Sequence, residues 1–298
     1  MTDAKTCLAG MLEHRLDEEA RGWLAQSSAE VAEGVAVARF CALISLASRF
    51  MPRGALAPEA DERTRAETVL AGWNTERWTV LEAARVALVL ARSDLAETAA
   101  EEALEEAFRY ADGGELCALY RSLALLPDPE RFLWRAAEGC RTNIRPVFEA
   151  DTCDTPYPFL YFDDVAWNQL CIKAVFIDAP LWRVFGLDRR LSPELARMAL
   201  DLADERRSAG RDVQHELWLC LGPHGGERGL ASIERELESE SRVGRRAAAI
   251  ALARADAPGR LAELLETERD PEVLSTMQRA RDGHTGRAEF RALDQRSA

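Results

Sequence analysis

The chain has 298 residues, of which 47% are hydrophobic, 7% aromatic and 30% charged, a balance that suits a folded globular protein and excludes a disordered, collagenous or membrane-embedded one. Its 38 basic and 51 acidic residues leave a formal net charge of -13, which opposes adsorption to nucleic acid or anionic lipid, so neither is an expected partner. Lys5 and Lys173 are the two lysines, and arginine carries the rest of the positive charge.

Alanine, leucine, glutamate and arginine dominate, and apolar positions recur every three or four residues, which predicts an all-α fold. The spacing predicts helices over 10–26, 28–50, 59–73, 76–92, 95–111, 114–126 and 129–150. Turn formers separate some of them at Met51-Pro52-Arg53-Gly54, Ala111-Asp112-Gly113-Gly114 and Leu126-Pro127-Asp128-Pro129. Acidic residues concentrate in the first half, where residues 1–150 hold 17 basic against 25 acidic groups. Glu97, Glu101, Glu102, Glu105 and Glu106 form the densest strip, either a solvated helix face or a surface for a basic partner.

The segment after residue 150 differs. Eight of the 21 aromatic residues lie between Tyr157 and Phe185, a density that builds either a tight core or a ligand pocket. Two prolines in Asp154-Thr155-Pro156-Tyr157-Pro158-Phe159 predict an ordered loop there, since proline pushes its predecessor toward extended backbone. A helix then begins near Phe162-Asp163-Asp164, whose carboxylates suit a helix N-terminus. Asn168 and Lys173 are polar groups in this apolar helix, and a bond from Asp164 to Asn168 is expected at i,i+4 spacing. Further on, Ser192 reads as an N-cap and Pro193 as the first residue of the next helix, with Arg197 and Asp201 forming an i,i+4 pair.

Toward the C-terminus, Arg242-Val243-Gly244 and Asp270-Pro271-Glu272-Val273 place two valines 30 residues apart, a helix-pair period. Leu90-Ala91-Arg92-Ser93-Asp94 echoes Leu252-Ala253-Arg254-Ala255-Asp256. These stretches resemble HEAT repeats, and the alternative is a compact irregular helical bundle. The expected architecture is one body, 1–298, of paired antiparallel helices forming a HEAT-like α-solenoid or irregular array: N-terminal helices over 1–150, the aromatic segment over 151–224 and HEAT-like repeats over 225–298.

Phe162, Ala166-Trp167-Asn168-Gln169, Lys173-Ala174, Pro180-Leu181, Gly186-Leu187-Asp188, Pro193-Glu194-Leu195-Ala196-Arg197-Met198, Asp201, Glu205-Arg206, Ala209-Gly210-Arg211, Glu216-Leu217-Trp218 and Gly222-Pro223 form an ordered series of unusual words. Over about residues 154–223 this series resembles the signature stretch of the EboA-domain family. The resemblance implies a bacterial protein of the ebo cluster, encoded beside a membrane prenyltransferase, a TatD-like metal hydrolase, a sugar-isomerase-like barrel and a dehydroquinate-synthase-like protein. It further implies a part in making or exporting a prenylated or otherwise lipophilic secondary metabolite, and it brings no catalytic residue with it.

Residue chemistry names no reaction. The seven cysteines are odd in number and mostly set in apolar helical patterns, which suits free thiols in a reducing compartment. The first residues carry no apolar stretch of signal-peptide length, and runs such as Ala247 to Ala253 fall short of the roughly 18 residues of a membrane span. A cytoplasmic location is expected. Scattered histidines, no Cys-x-x-Cys and no glycine-rich phosphate cradle give no reason to expect a metal or cofactor. Lys173 stands among Ile172, Ala174 and Val175: buried, its amine becomes a base or Schiff-base nucleophile, whereas paired with Asp178 or Asp188, or with its tip in water, it is structural.

The leading expectation is therefore a non-catalytic component that binds a lipophilic small molecule or a protein of the same cluster through Asp163, Asp164, Trp167, Asn168, Lys173, Asp188, Arg189 and Arg197. A cavity of roughly 300 Å³ or more reaching Trp167 and Lys173 favours binding or catalysis, and its absence favours a scaffold. The alternative is an enzyme on a prenylated or sugar-derived intermediate, with Lys173 and Asp163 or Asp164 as acid-base groups.

Overall fold

Where each helix stops is decided by caps and left-handed residues that a hydrophobic period does not register. A computed structural model of the chain describes residues 2–255 and 258–293, and all of its regular elements are helical, apart from an isolated bridge between Ala55 and Thr79 among the described residues. The chain divides into two units, Met1–Phe162 and Asp163–Ala298, and the division falls inside the aromatic segment.

The first unit contains α1 (Thr2–Glu13), α2 (Glu18–Glu33), α3 (Val37–Phe50), α4 (Ala60–Val69), α5 (Val80–Ala91), α6 (Thr98–Tyr110), α7 (Gly113–Ser122), α8 (Leu133–Arg141), α9 (Arg145–Thr152) and α10 (Tyr157–Tyr161). Three helices expected to be continuous are interrupted. The expected helix over 10–26 breaks because Asp17 caps α2, accepting from the Ala20 amide at 2.9 Å. Arg15 is fixed in that break by the carbonyls of Met11 and Leu56 and by Glu62, 2.6 Å away. The helix over 28–50 breaks at Gly34, whose φ of +94° a residue with a side chain resists. The helix over 129–150 gives way to a 3-10 turn at Pro129–Phe132 and to a fresh start at α9, where Pro146 occupies the first turn and its missing N–H costs nothing. The loop expected around Pro156 and Pro158 is instead the short helix α10, for the same reason: Pro158 lies in its first turn.

The core of this unit surrounds α5. Val80, Ala83, Ala84, Val86, Leu88, Val89, Leu90 and Ala91 are all buried, and α1, α2, α3 and α7 pack against the helix. Its alanines leave room for neighbouring backbones to approach on several sides, and each fully buried Val or Leu contributes about 1.5–3 kcal/mol. Arg85 also lies in this core, donating from Nε to the Ile44 carbonyl at 3.1 Å and facing Glu115 at 3.5 Å. Burial pulls the Arg85 pKa down and Glu115 opposes the shift. Thr79 and Glu82 close a reciprocal capping box at the start of α5, and Arg121 reaches Glu82 at 3.3 Å while stacking over Trp78 at 5.4 Å.

The second unit contains α11 (Asp164–Phe176), α12 (Pro193–Ser208), α13 (Gly226–Leu237), α14 (Arg242–Arg254), α15 (Pro258–Thr267), α16 (Pro271–Arg281) and α17 (Arg287–Arg291). Its central helix is α14, buried from Ala247 through Leu252 and packed against α13, α15, α16 and the 3-10 turn His215–Cys220. The caps are those the sequence predicts. Asp163 opens α11, Ser192 with Pro193 opens α12, and Asp270 with Pro271 opens α16. Arg242 meets Asp270 at 2.8 Å, and Arg246 donates to Thr276 Oγ1 at 2.9 Å, tying α14 to the start of α16. Asp256, the last residue of the internal echo, lies outside the described residues.

One buried acid in the first unit has no ionic partner among the described residues. Asp151 on α9 is 2% exposed, and its Oδ2 accepts from the Cys140 thiol at 3.2 Å. Gly139 makes the space, since a Cβ there would lie 2.6 Å from Oδ2 and 2.7 Å from Tyr120 Cε1. Burial raises the Asp151 pKa well above the usual 3.8, so the carboxyl is most stable in the fold as the neutral acid. Its favourable contribution is complete below pH 3.8 and is lost as pH rises through the higher folded-state value. Asp151→Asn, neutral at every pH, is expected to melt above the parent at pH 7 and to lose that advantage progressively as the pH falls to 4. A difference of 1 kcal/mol corresponds to roughly 2–4 °C in a chain of this size, and melting curves over that range check the sign.

Candidate functional site

The aromatic segment divides between the two units. In the first, Tyr157 packs its ring against Tyr161 at 4.9 Å and Phe162 at 6.3 Å, and its hydroxyl donates to the Pro129 carbonyl at 2.6 Å. The expected binding residues belong to the second unit, where their chemistry is largely committed to holding loops and helix ends.

Asp163 accepts from the Ala166 amide at 2.8 Å as the cap of α11. Asp164, expected to bond Asn168 one turn on, instead accepts from Arg190 Nη2 at 2.8 Å. The same guanidinium lies 4.7 Å over the ring of buried Trp167, so carboxylate, cation and indole form one stack in which Arg190 joins α11 to the loop before α12. Asn168 is buried, and Lys173 is half-buried. Asp188 is clamped from two directions, by Arg254 at 2.6 Å and Arg287 at 3.8 Å. Arg254 also donates to the Thr285 carbonyl at 3.0 Å, and Arg287 to the carbonyl of Val184. Arg189, beside Asp188, is exposed. Arg197 pairs with Glu194 and Asp201, each at 2.6 Å, which raises its pKa, and Arg228 extends the ladder to Asp201 at 2.8 Å and Asp204 at 2.6 Å.

The eight residues therefore fall into three local groups: Asp163, Asp164, Trp167, Asn168 and Lys173 along α11; Asp188 and Arg189 on the 3-10 turn whose Asp188 meets α14 and α17; and Arg197 on the surface of α12. Asp164 and Lys173 are nine residues apart on one helix, about 14 Å along its axis at 1.5 Å per residue and on opposite sides of it. Two groups so placed do not act on one bond.

What α11 does present is apolar. Val165 is 65% and Phe176 is 59% exposed, and with Gln169, Ile172 and Lys173 they recur at helical spacing along one face. Large apolar residues are exposed elsewhere too, at Tyr110, Trp134, Ile144 and Leu160, but on α11 a valine and a phenylalanine frame a lysine on one helix face. Three cavities lie elsewhere. One of about 570 Å³ is lined by α4 and residues 73–76, including Trp73 and Asn74. Another of about 520 Å³ lies between α3 and α6, with Val37, Cys41, Glu102 and Tyr110 in its wall. The third, of about 580 Å³, is formed by the end of α12, residues 211–213, and α13 with the turn after it. None of these three is lined by Trp167 or Lys173.

The stack at the start of α11 makes a quantitative expectation. Arg190→Ala removes both the cation over Trp167 and its carboxylate bond and is expected to cost about 1 kcal/mol. Asp164→Asn is expected to change stability by only a few tenths, since that carboxylate is 94% exposed and its pair is screened. Urea unfolding of the two variants checks the ranking.

Comparison with known proteins agrees with the words that run through this segment. No curated protein and no solved structure matches the chain. A protein-family model, described as "Metabolite traffic protein EboA", matches residues 4–222, which takes in all of the first unit from Ala4 and the second as far as Gly222. By that match the chain belongs to the EboA family.

Proposed function

We propose that this chain is a non-catalytic binding component of metabolite traffic, and that it holds a lipophilic metabolite or a partner protein of the same pathway on the outward face of α11. The observation that carries this reading is the exposure of Val165 and Phe176 on one side of a helix whose opposite side is core. Apolar side chains left in water on a helix cost free energy that a bound partner recovers. Lys173 and Gln169 on the same stripe supply polar anchors, and Asp163, Asp164, Asp188 and Arg197 set the position of the face rather than touching the ligand. The family description, metabolite traffic, supports a handling role in place of chemistry. The roughly 14 Å between Asp164 and Lys173 argues in the same direction.

On this reading the protein works in the cytoplasm beside other products of an ebo-type cluster, as part of a secondary-metabolite biosynthesis or export route. The C-terminal helices pair in the manner of HEAT repeats. Val243 and Val273 both lie in the first turn of their helices, α14 and α16, the two helices pack together, and Arg246 reaches Thr276 across them.

The test is recovery of the protein from its own host followed by mass spectrometry of what it retains. The parent is expected to carry a small molecule or a pathway protein. The double variant Val165→Glu, Phe176→Glu is expected to lose it at least about tenfold, with melting unchanged because both positions are exposed. An empty, partnerless parent, or a variant that retains as much as the parent, contradicts the reading.

A further inference from the structure

The cleft at the end of α12 has the chemistry of a ligand site, and the α11 face has no part in it. Its wall comprises Arg207, Arg211, Asp212, Val213, Arg235, Glu236, Ser239, Glu240 and Ser241, around about 580 Å³. Arg207 is its deepest cation, with a side chain 10% exposed. It donates to Ser232 Oγ at 2.6 Å, to the Ser232 carbonyl at 3.0 Å and to Glu236 at 3.2 Å, with the Trp218 ring beneath it at 5.7 Å. Those bonds use three of the five N–H groups a guanidinium carries. Glu236 balances its charge and is held at the start of α14 by the absence of a side chain at Gly244, where a Cβ would overlap Oε1.

The remaining charges in the wall are two cations, Arg211 and Arg235, and two anions, Asp212 and Glu240. The side chains of these four make no hydrogen bond or ion pair with any described residue. This is uncommon in the second unit, where Arg197, Arg228, Arg242, Arg245, Arg254 and Arg260 are each paired. Opposite charges that share one cleft without meeting are complementary to a molecule that carries both signs itself. Guanidinium groups favour a phosphate, which they meet through paired N–H donors. Val213 adds an apolar contact, and Ser239 and Ser241 line the same wall, the Ser241 hydroxyl accepting from the Gly244 amide as the cap of α14.

We propose that this cleft binds a small phosphate ester bearing an amine, with its phosphate toward Arg207, Arg211 and Arg235 and its ammonium toward Asp212 and Glu240. The site straddles the end of the family match at residue 222, so Arg235, Ser239, Glu240 and Ser241 lie outside the matched region and make this ligand preference a property of the C-terminal helices. It stands apart from the proposed α11 surface, and either can fail without the other.

Titration calorimetry of the full chain with phosphoethanolamine is the test, with inorganic phosphate and ethanolamine as the two half-ligands. Saturable one-to-one binding is expected, at least about tenfold tighter than either half. The pair Arg211→Gln, Arg235→Gln, both exposed and bonded to nothing that holds the fold, is expected to weaken it at least about tenfold with circular dichroism unchanged. Competition by phosphatidylethanolamine vesicles assigns the ligand to a lipid headgroup, and its absence assigns it to a free metabolite, with the same cleft as the site in both cases. No saturable binding, inorganic phosphate binding as tightly as phosphoethanolamine, or an unchanged double variant overturns the proposal.

Discussion

Burying a helix on nearly every side is the constraint from which the rest of this structure follows. α5 in the first unit and α14 in the second are both alanine-rich and both surrounded, and small side chains are what allow several neighbouring backbones to approach one helix. Such a helix offers little polar surface, so a charge it carries inward must find a partner there. Arg85 finds the Ile44 carbonyl and Glu115. A buried pair of this sort adds little net stability compared with apolar packing, but removing one member strands the other. The Arg85 contacts therefore act chiefly to fix which helices sit beside α5. Asp151 is the contrasting case, a buried acid beside a thiol, whose burial disfavours the charged form.

The same economy of polar groups governs the signature segment. Its carboxylates and arginines cap α11, stack on Trp167, clamp the 3-10 turn carrying Asp188 to α14 and α17, and ladder along α12. A set of charges committed in this way fixes the helix ends and loops of the segment. Val165 and Phe176 stand exposed on the outside of α11, and the proposed binding role rests on them.

The sequence made the helical class, the caps and the family words readable, because each depends on residues close together in the chain. Ser192-Pro193 and Asp270-Pro271 are local signals, and the helices start where they stand. Helix breaks at residues 14–17 and 34–36 were hidden, since apolar spacing continues across them while Arg15 answers to Glu62 and Gly34 to its backbone angle. Arg190 was missed as the partner of Trp167 and Asp164 because 23 residues separate it from the ring it covers. The cleft of Arg207, Arg211 and Arg235 was invisible for a similar reason: it forms only when the end of α12 meets α13. Exposure of Phe176 could not be read either, as an aromatic in an apolar helix looks the same in sequence whether its face is covered or bare.

Hydrogen exchange tests most directly the claim that α11 is a contact surface. The full chain, recovered from its host with whatever it retains, is compared with the same chain stripped of it. Slower amide exchange confined to residues 164–176 and the adjoining turns is the predicted result. Identical exchange in the two states, or protection elsewhere with none on α11, would contradict it.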